Sequence, residues 1–63
     1  MKYNKDIRIS AYENNVKMYQ IAEKLGMHYV TLNSKLRKEL SNYEKQQIFQ
    51  IIKEIKEENS YDK

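Results

Sequence analysis

The sequence predicts an all-α fold of four helices, of which the last is the longest. Three observations predict it: the 63 residues include no proline and one glycine, strong helix formers are abundant, and apolar residues recur at intervals of three and four. A chain of this length forms one small domain, and without cysteine it has neither disulfides nor thiolate zinc ligands to stabilise it. We therefore expect a single domain over residues 1–58 and a frayed polar tail over 59–63.

Helices one and two are predicted from a capping residue, a stop signal and an apolar face. Asn4 is expected to cap helix one with its side chain. Because asparagine tolerates the left-handed conformation that ends a helix, Asn14 and Asn15 form the expected stop, after which Val16 returns the chain to the core. Helix two then runs over about 17–25, and its apolar face consists of Met18, Ile21, Ala22 and Leu25.

The turn after helix two and the start of helix three are predicted from the only glycine. Gly26 directly follows the apolar face of helix two, at a point where a helix end needs a residue with positive φ. Leu32, Leu36 and Leu40 then recur at intervals of four residues, which predicts helix three over about 28–38.

Helix four is predicted from a capping box and a wide apolar stripe. Ser41 and Glu44 match the S-x-x-E pattern that begins a helix, and the apolar period stops near Glu57. The stripe is wider than one contact with a three-helix core uses, so we expect part of it to form a homodimer interface; the alternative that all of it packs inside the chain stays open. The stripe consists of Ile48, Phe49, Ile51, Ile52 and Ile55.

The segment from helix two to helix three resembles a helix-turn-helix unit. It reads Ile-Ala-Glu-Lys-Leu-Gly-Met over 21–27 and Thr-Leu-Asn-Ser-Lys-Leu over 31–36. It is similar to the small phage and mobile-element repressors of the Cro/repressor type, and its second stretch is similar to the recognition helices of Fis-type and resolvase-type proteins. The resemblance covers about residues 7–40. It also fits the need for a small residue, Ala22, where the two helices cross.

The resemblance implies that helix three lies in the major groove of duplex DNA. Residues 28–38 contain no acidic side chain, which suits a helix that approaches phosphates. A rotation of about 100° per residue turns most of their side chains away from the inward Leu32. The candidate DNA-binding residues are His28, Tyr29, Val30, Thr31, Asn33, Ser34, Lys35, Arg37 and Lys38.

Individual roles for these residues follow from base and phosphate chemistry. Asn33 suits bidentate contact with adenine, and Val30 suits contact with a thymine methyl group. Arg37 suits guanine or phosphate, whereas Lys35 and Lys38 suit phosphate.

The charge distribution agrees with a polyanion-binding face in the first part of the chain. Residues 1–38 carry eight Lys or Arg against three acids, whereas residues 39–63 carry four bases against six acids. This asymmetry favours a basic binding face followed by a neutral or acidic assembly element, and a solvated lysine-rich surface is the alternative.

No residue pattern indicates an enzyme, a metal or a cofactor. His28 is the only histidine, and neither a Gly-rich loop nor a nucleophile in a tight glycine turn is present. The six tyrosines form no stacking platform, and we expect Tyr12, Tyr19 and Tyr43 to be half-buried packing groups. We expect no catalytic residue, no cofactor, no metal and no small-molecule ligand.

The hydropathy of the chain predicts a cytoplasmic protein. No apolar run approaches the ~20 residues needed to cross a bilayer. Four charged residues interrupt residues 1–9, which lack the apolar core of a secretory signal.

The function predicted from the sequence is sequence-specific binding of double-stranded DNA. We expect a transcriptional regulator that acts as a homodimer and represses by blocking promoter access. The alternative is a small phage or plasmid interaction module or inhibitor, which would grip a protein with the apolar face of helix four and with Tyr29.

Overall fold

The computed structural model describes residues 3–60, and in this part of the chain it shows four helices and no strand. The helices are α1 (Lys5–Glu13), α2 (Met18–Leu25), α3 (Tyr29–Lys35) and α4 (Asn42–Ser60). With 19 residues, α4 is the longest, and the predicted all-α fold is confirmed. Helix α4 packs against both α1 and α2, and α3 packs against α2.

The core lies between the four helices and takes apolar residues from each of them. Val16, Leu36 and Leu40, from the connecting segments, complete it. The buried apolar side chains are Ile7, Ala11, Val16, Ile21, Ala22, Leu32, Leu36, Leu40, Ile48, Ile52 and Ile55.

Most of the apolar stripe of α4 belongs to this core, which leaves only its half-buried members for the predicted dimer interface. Ile48, Ile52 and Ile55 are buried within the single chain, and Phe49 and Ile51 are half-buried and pack against the same core. The physical reason is that α4 covers two helices, α1 and α2, rather than one. A stripe that covers two neighbours must be wider than a stripe that covers one.

Asn4 does not cap α1 with its side chain, which corrects the prediction for the start of the first helix. Its backbone is left-handed with φ 59°, and its side chain is buried at 1% exposure. The side-chain Nδ2 donates to the carbonyls of Leu36 (3.0 Å) and Lys38 (2.8 Å), and Oδ1 accepts from the Leu40 N–H (2.9 Å). Asn4 therefore fastens the start of α1 to the connection between α3 and α4.

A second link, formed by charged groups, joins the same two segments to α4. The Lys45 ammonium on α4 pairs with Asp6 on α1 at 3.1 Å and with Glu39 in the α3–α4 connection. The hydrogen bond from Lys45 and the N–H of Asn4 lower the pKa of Glu39 below its ordinary value. In turn, Glu39 and Asp6 raise the pKa of Lys45, so the cluster favours its ionised form.

Helix α3 is shorter than predicted. It ends at Lys35 with Leu36 as its C-terminal cap, and Arg37 and Lys38 lie in the following turn. The side chain of Asn4 holds the carbonyls of Leu36 and Lys38. Because these carbonyls are bound to a side chain from another segment, the backbone leaves the helical path two or three residues early.

The other local signals in the sequence are confirmed. Asn15 lies in the turn after α1 and has a φ of 57°, and Gly26 follows the last residue of α2 and has a φ of 73°. A side chain at Gly26 would point into open space, so the glycine is needed for its backbone conformation rather than for its small size. The Glu44 N–H donates to Ser41 Oγ (3.2 Å), and the Ser41 N–H donates to Glu44 Oε1 (3.3 Å), as the capping box predicts.

The end of α4 lies beyond the predicted end near Glu57. The helix continues through Asn59 to Ser60, where the sequence predicted the start of a frayed tail, and residues 61–63 of that tail lie outside the described residues. An ion pair between Lys24 on α2 and Glu58 attaches this last part of α4 to the domain.

Candidate nucleic-acid interface

The α2–turn–α3 unit is built on a few buried side chains. Leu32 is the buried residue of α3, and Ile21 and Ala22 are the buried residues of α2, against which α3 packs. A short helix that buries one side chain leaves most of its circumference exposed to solvent. Residues Gly26 to His28 form the three-residue turn between the two helices.

The residues predicted to contact DNA form the exposed surface of α3 and of the turn that follows it, which we call the α3 surface. Asn33 is half-buried, beside the buried Leu32. The exposed members are His28, Tyr29, Val30, Thr31, Ser34, Lys35, Arg37 and Lys38.

The two apolar members of the α3 surface lie next to each other. Val30 is 71% exposed, more than any other aliphatic side chain among the large exposed hydrophobic residues, and Tyr29 is also exposed. An exposed β-branched side chain contributes little to the core, so its methyl groups are available to a ligand.

Lys35 is engaged by an acid. Its Nζ lies 3.1 Å from Glu44 Oε2, the carboxylate that also completes the capping box of α4. The hydrogen bond from Lys35, with those from Ser41, lowers the pKa of Glu44. A phosphate that binds Lys35 must therefore compete with Glu44.

Arg37 and Lys38 are the free cations of the α3 surface. Both are exposed, and neither forms a salt bridge within residues 3–60. Both lie after Leu36, so they are not part of the helix that the sequence predicts over about 28–38. They lie instead beyond the C-terminal end of α3.

The tyrosines expected to be half-buried are exposed. Tyr12 is 87% exposed, and Tyr19 and Tyr43 are also exposed. Helical spacing places each of the three outside the apolar stripe of its own helix, so the signal was present in the sequence. Position on the helix, and not aromatic character, determines the exposure of these side chains.

The described residues contain no cluster of three or more His, Cys, Asp or Glu side chains able to hold a metal ion. Nor does any helix within residues 3–60 combine the length and apolar character needed to span a membrane.

The fold and this surface define a small all-α protein of four helices with an exposed, acid-free short helix. Comparison with protein families, with curated proteins and with solved structures finds no match. The function is therefore inferred from the geometry and chemistry of this chain.

Proposed function

We propose that this protein binds duplex DNA in a sequence-specific manner through the α3 surface and regulates transcription. The observation that carries the proposal is that one short helix and the turns at its ends combine three kinds of side chain that bind DNA. Residues 28–38 present small polar, apolar and cationic side chains without a single acid, and Leu32 and Leu36 fix them to the core.

The dimensions of α3 suit the major groove. A helix with its side chains is about 10–12 Å in diameter, and the groove is about 12 Å wide. Val30 offers methyl groups to thymine, Asn33 offers an amide to adenine, and Ser34 offers a hydroxyl to a base or a phosphate. These contacts would read sequence.

Arg37 and Lys38 supply the contacts to phosphate. They are exposed and free of internal acids, so binding DNA breaks no salt bridge with the described residues. Lys35 contributes less, because its pairing with Glu44 must be broken or shared. Together these cations position the helix and make affinity depend on salt.

Repression by occupancy of a promoter site is the regulatory outcome that needs no binding site other than the DNA-binding surface. A domain that covers a promoter site excludes polymerase by its presence, and the α3 surface is sufficient for this. The alternative function of a protein-interaction module depends on the apolar face of α4 and on Tyr29. Tyr29 is exposed, but most of the α4 face packs into the core, and so DNA binding is the better supported proposal.

Selection from random duplexes at physiological salt tests the proposal. We expect an enriched motif, and we expect the double variant Arg37→Glu with Lys38→Glu to lose binding because it adds repulsion to lost contacts. The matched control, Lys53→Glu with Lys56→Glu, makes the same charge change on exposed residues of α4 and should retain binding.

Helical content of both double variants is measured by circular dichroism, so that unfolding is recognised. If the Arg37 and Lys38 variant binds as tightly as the wild type, or if no duplex motif is enriched, the proposal is wrong.

A further inference from the structure

The outer face of α1 is an apolar surface that the core does not use. Ile7 and Ala11 form the buried side of this helix. Ile9 lies directly opposite them and is 55% exposed, and Tyr12 follows one turn later with most of its surface exposed. A shallow groove along this face is lined by Lys5, Arg8, Ile9, Tyr12 and Glu13.

The charges at the two ends of this face are unfavourable for α1 itself. Lys5 lies in the first turn, near the positive end of the helix dipole, and Glu13 lies in the last turn, near the negative end. Neither side chain forms a salt bridge with a residue of the described chain. Each charge would be stabilised at the opposite end of a helix.

We propose that α1 pairs with α1 of a second copy of this chain, antiparallel and about a two-fold axis through Ile9. In this arrangement Ile9 contacts the partner's Ile9. Lys5 comes within reach of the partner's Glu13 and of the negative end of the partner helix, and symmetry repeats the contact. The stem of each lysine covers the exposed Tyr12 ring of the other copy.

Charge complementarity identifies the occupant as a second copy. The groove is lined by two bases and one acid, of which Lys5 and Glu13 lie at its ends and Arg8 lies beside Ile9. An antiparallel copy presents the acid to the base and the base to the acid at the two ends. An unrelated acidic or basic segment would satisfy only one of the two ends. The face is therefore complementary to itself.

The size of the face makes the pair weak in solution. Nine residues extend about 13 Å, too short for the ~800 Å² per partner of a stable interface. The pairing does not depend on the proposed DNA binding, although two copies held on adjacent DNA sites would be brought to a high local concentration.

A charge-swap cycle followed by sedimentation equilibrium, without DNA, tests the pairing. We expect the wild type to self-associate detectably when its concentration is raised to about 1 mM, because the interface is small and transient. Lys5→Glu and Glu13→Lys should each lower the association constant about tenfold, because each turns two attractions into repulsions. The double variant with both changes should return to within about threefold of the wild type.

Thermal melting separates this effect from unfolding. Each single reversal improves the interaction with the dipole of α1, so its melting temperature should not fall while its self-association does. Ile9→Lys should abolish association, and Tyr43→Ser, which removes an exposed aromatic ring on α4, should leave it unchanged. A wild type that is monomeric at about 1 mM overturns the proposal, as does a double reversal that fails to restore association.

Discussion

Helices α3 and α4 divide their side chains between core and solvent in opposite proportions. Helix α4 has 19 residues, and its isoleucines are buried or half-buried against α1 and α2. Helix α3 has seven residues, buries Leu32 and leaves Tyr29 and Val30 exposed. The comparison shows that most of the long helix's apolar side chains serve the packing of the core, whereas the short helix leaves polar, apolar and cationic groups exposed to solvent.

The connection between α3 and α4 is held in place by side chains that belong to other parts of the chain. Asn4 and Lys45 bind the α3–α4 connection through hydrogen bonds and ion pairs, although neither belongs to it. The position of the α3 surface therefore depends on contacts with α1 and α4 as well as on its own packing against α2.

Truncation of one branched side chain in α4 and one in α3 should give the largest difference in stability between the two helices. Ile52→Ala in α4 should lower the free energy of unfolding by about 3 kcal/mol, because it leaves a cavity in the core. Val30→Ala in α3 should change it by less than about 0.5 kcal/mol and should instead alter base preference. Urea unfolding and duplex selection measure the two effects; equal losses of stability would contradict the division.

Asn4→Ala should produce the next largest effect. It removes three side-chain hydrogen bonds and leaves buried backbone groups unpaired, so we expect a loss of about 2 to 3 kcal/mol. Asn15→Ala is the matched control, because Asn15 has nearly the same positive φ but is exposed. Its replacement should cost about 1 kcal/mol of backbone strain alone. If the two variants unfold at the same urea concentration, the buried hydrogen bonds of the Asn4 side chain contribute nothing to stability.

These results bear on how much the sequence predicts. The turns at Asn15, Gly26 and Ser41 were predicted because each signal acts on residues within four positions of itself. Asn4 was misread as a helix cap because its partners lie 32 to 36 residues away, and short-range patterns carry no information about such distances. The early end of α3 follows from the same contacts and was missed for the same reason.

The candidate site was predicted in part. Helical periodicity explains the exposure of the members that lie on α3 itself, because exposure on a helix follows from spacing, whereas His28, Arg37 and Lys38 lie outside the helix. Which part of the α4 stripe packs inside the chain could not be predicted, because the width of a stripe indicates how much surface must be covered and not which helices cover it. Lys35 was assigned to phosphate without its partner, since the pairing with Glu44 depends on how α4 approaches α3.

The pH dependence of stability should show the smallest effect. The lowered pKa of Glu39 means that its pairing with Lys45 stabilises the fold above the ordinary glutamate pKa, and that this stability is lost as pH falls through the lowered value. Lys45→Met should therefore reduce the fall in melting temperature on acidification. Lys53→Met, on an exposed residue of α4, is the control and should follow the wild-type curve. Identical acid curves for both variants would show that the cluster is not coupled to folding.

Mapping of amide chemical shifts during titration with duplex DNA tests the central claim most directly. A pool of random duplexes at low salt suffices, because non-specific binding uses the same cationic surface. The proposed function predicts that the largest shifts occur over residues 28–38 and that the signals of the second half of α4 remain in place. Largest shifts on α4, or no shifts at all, would contradict the assignment of the α3 surface as the DNA-binding site.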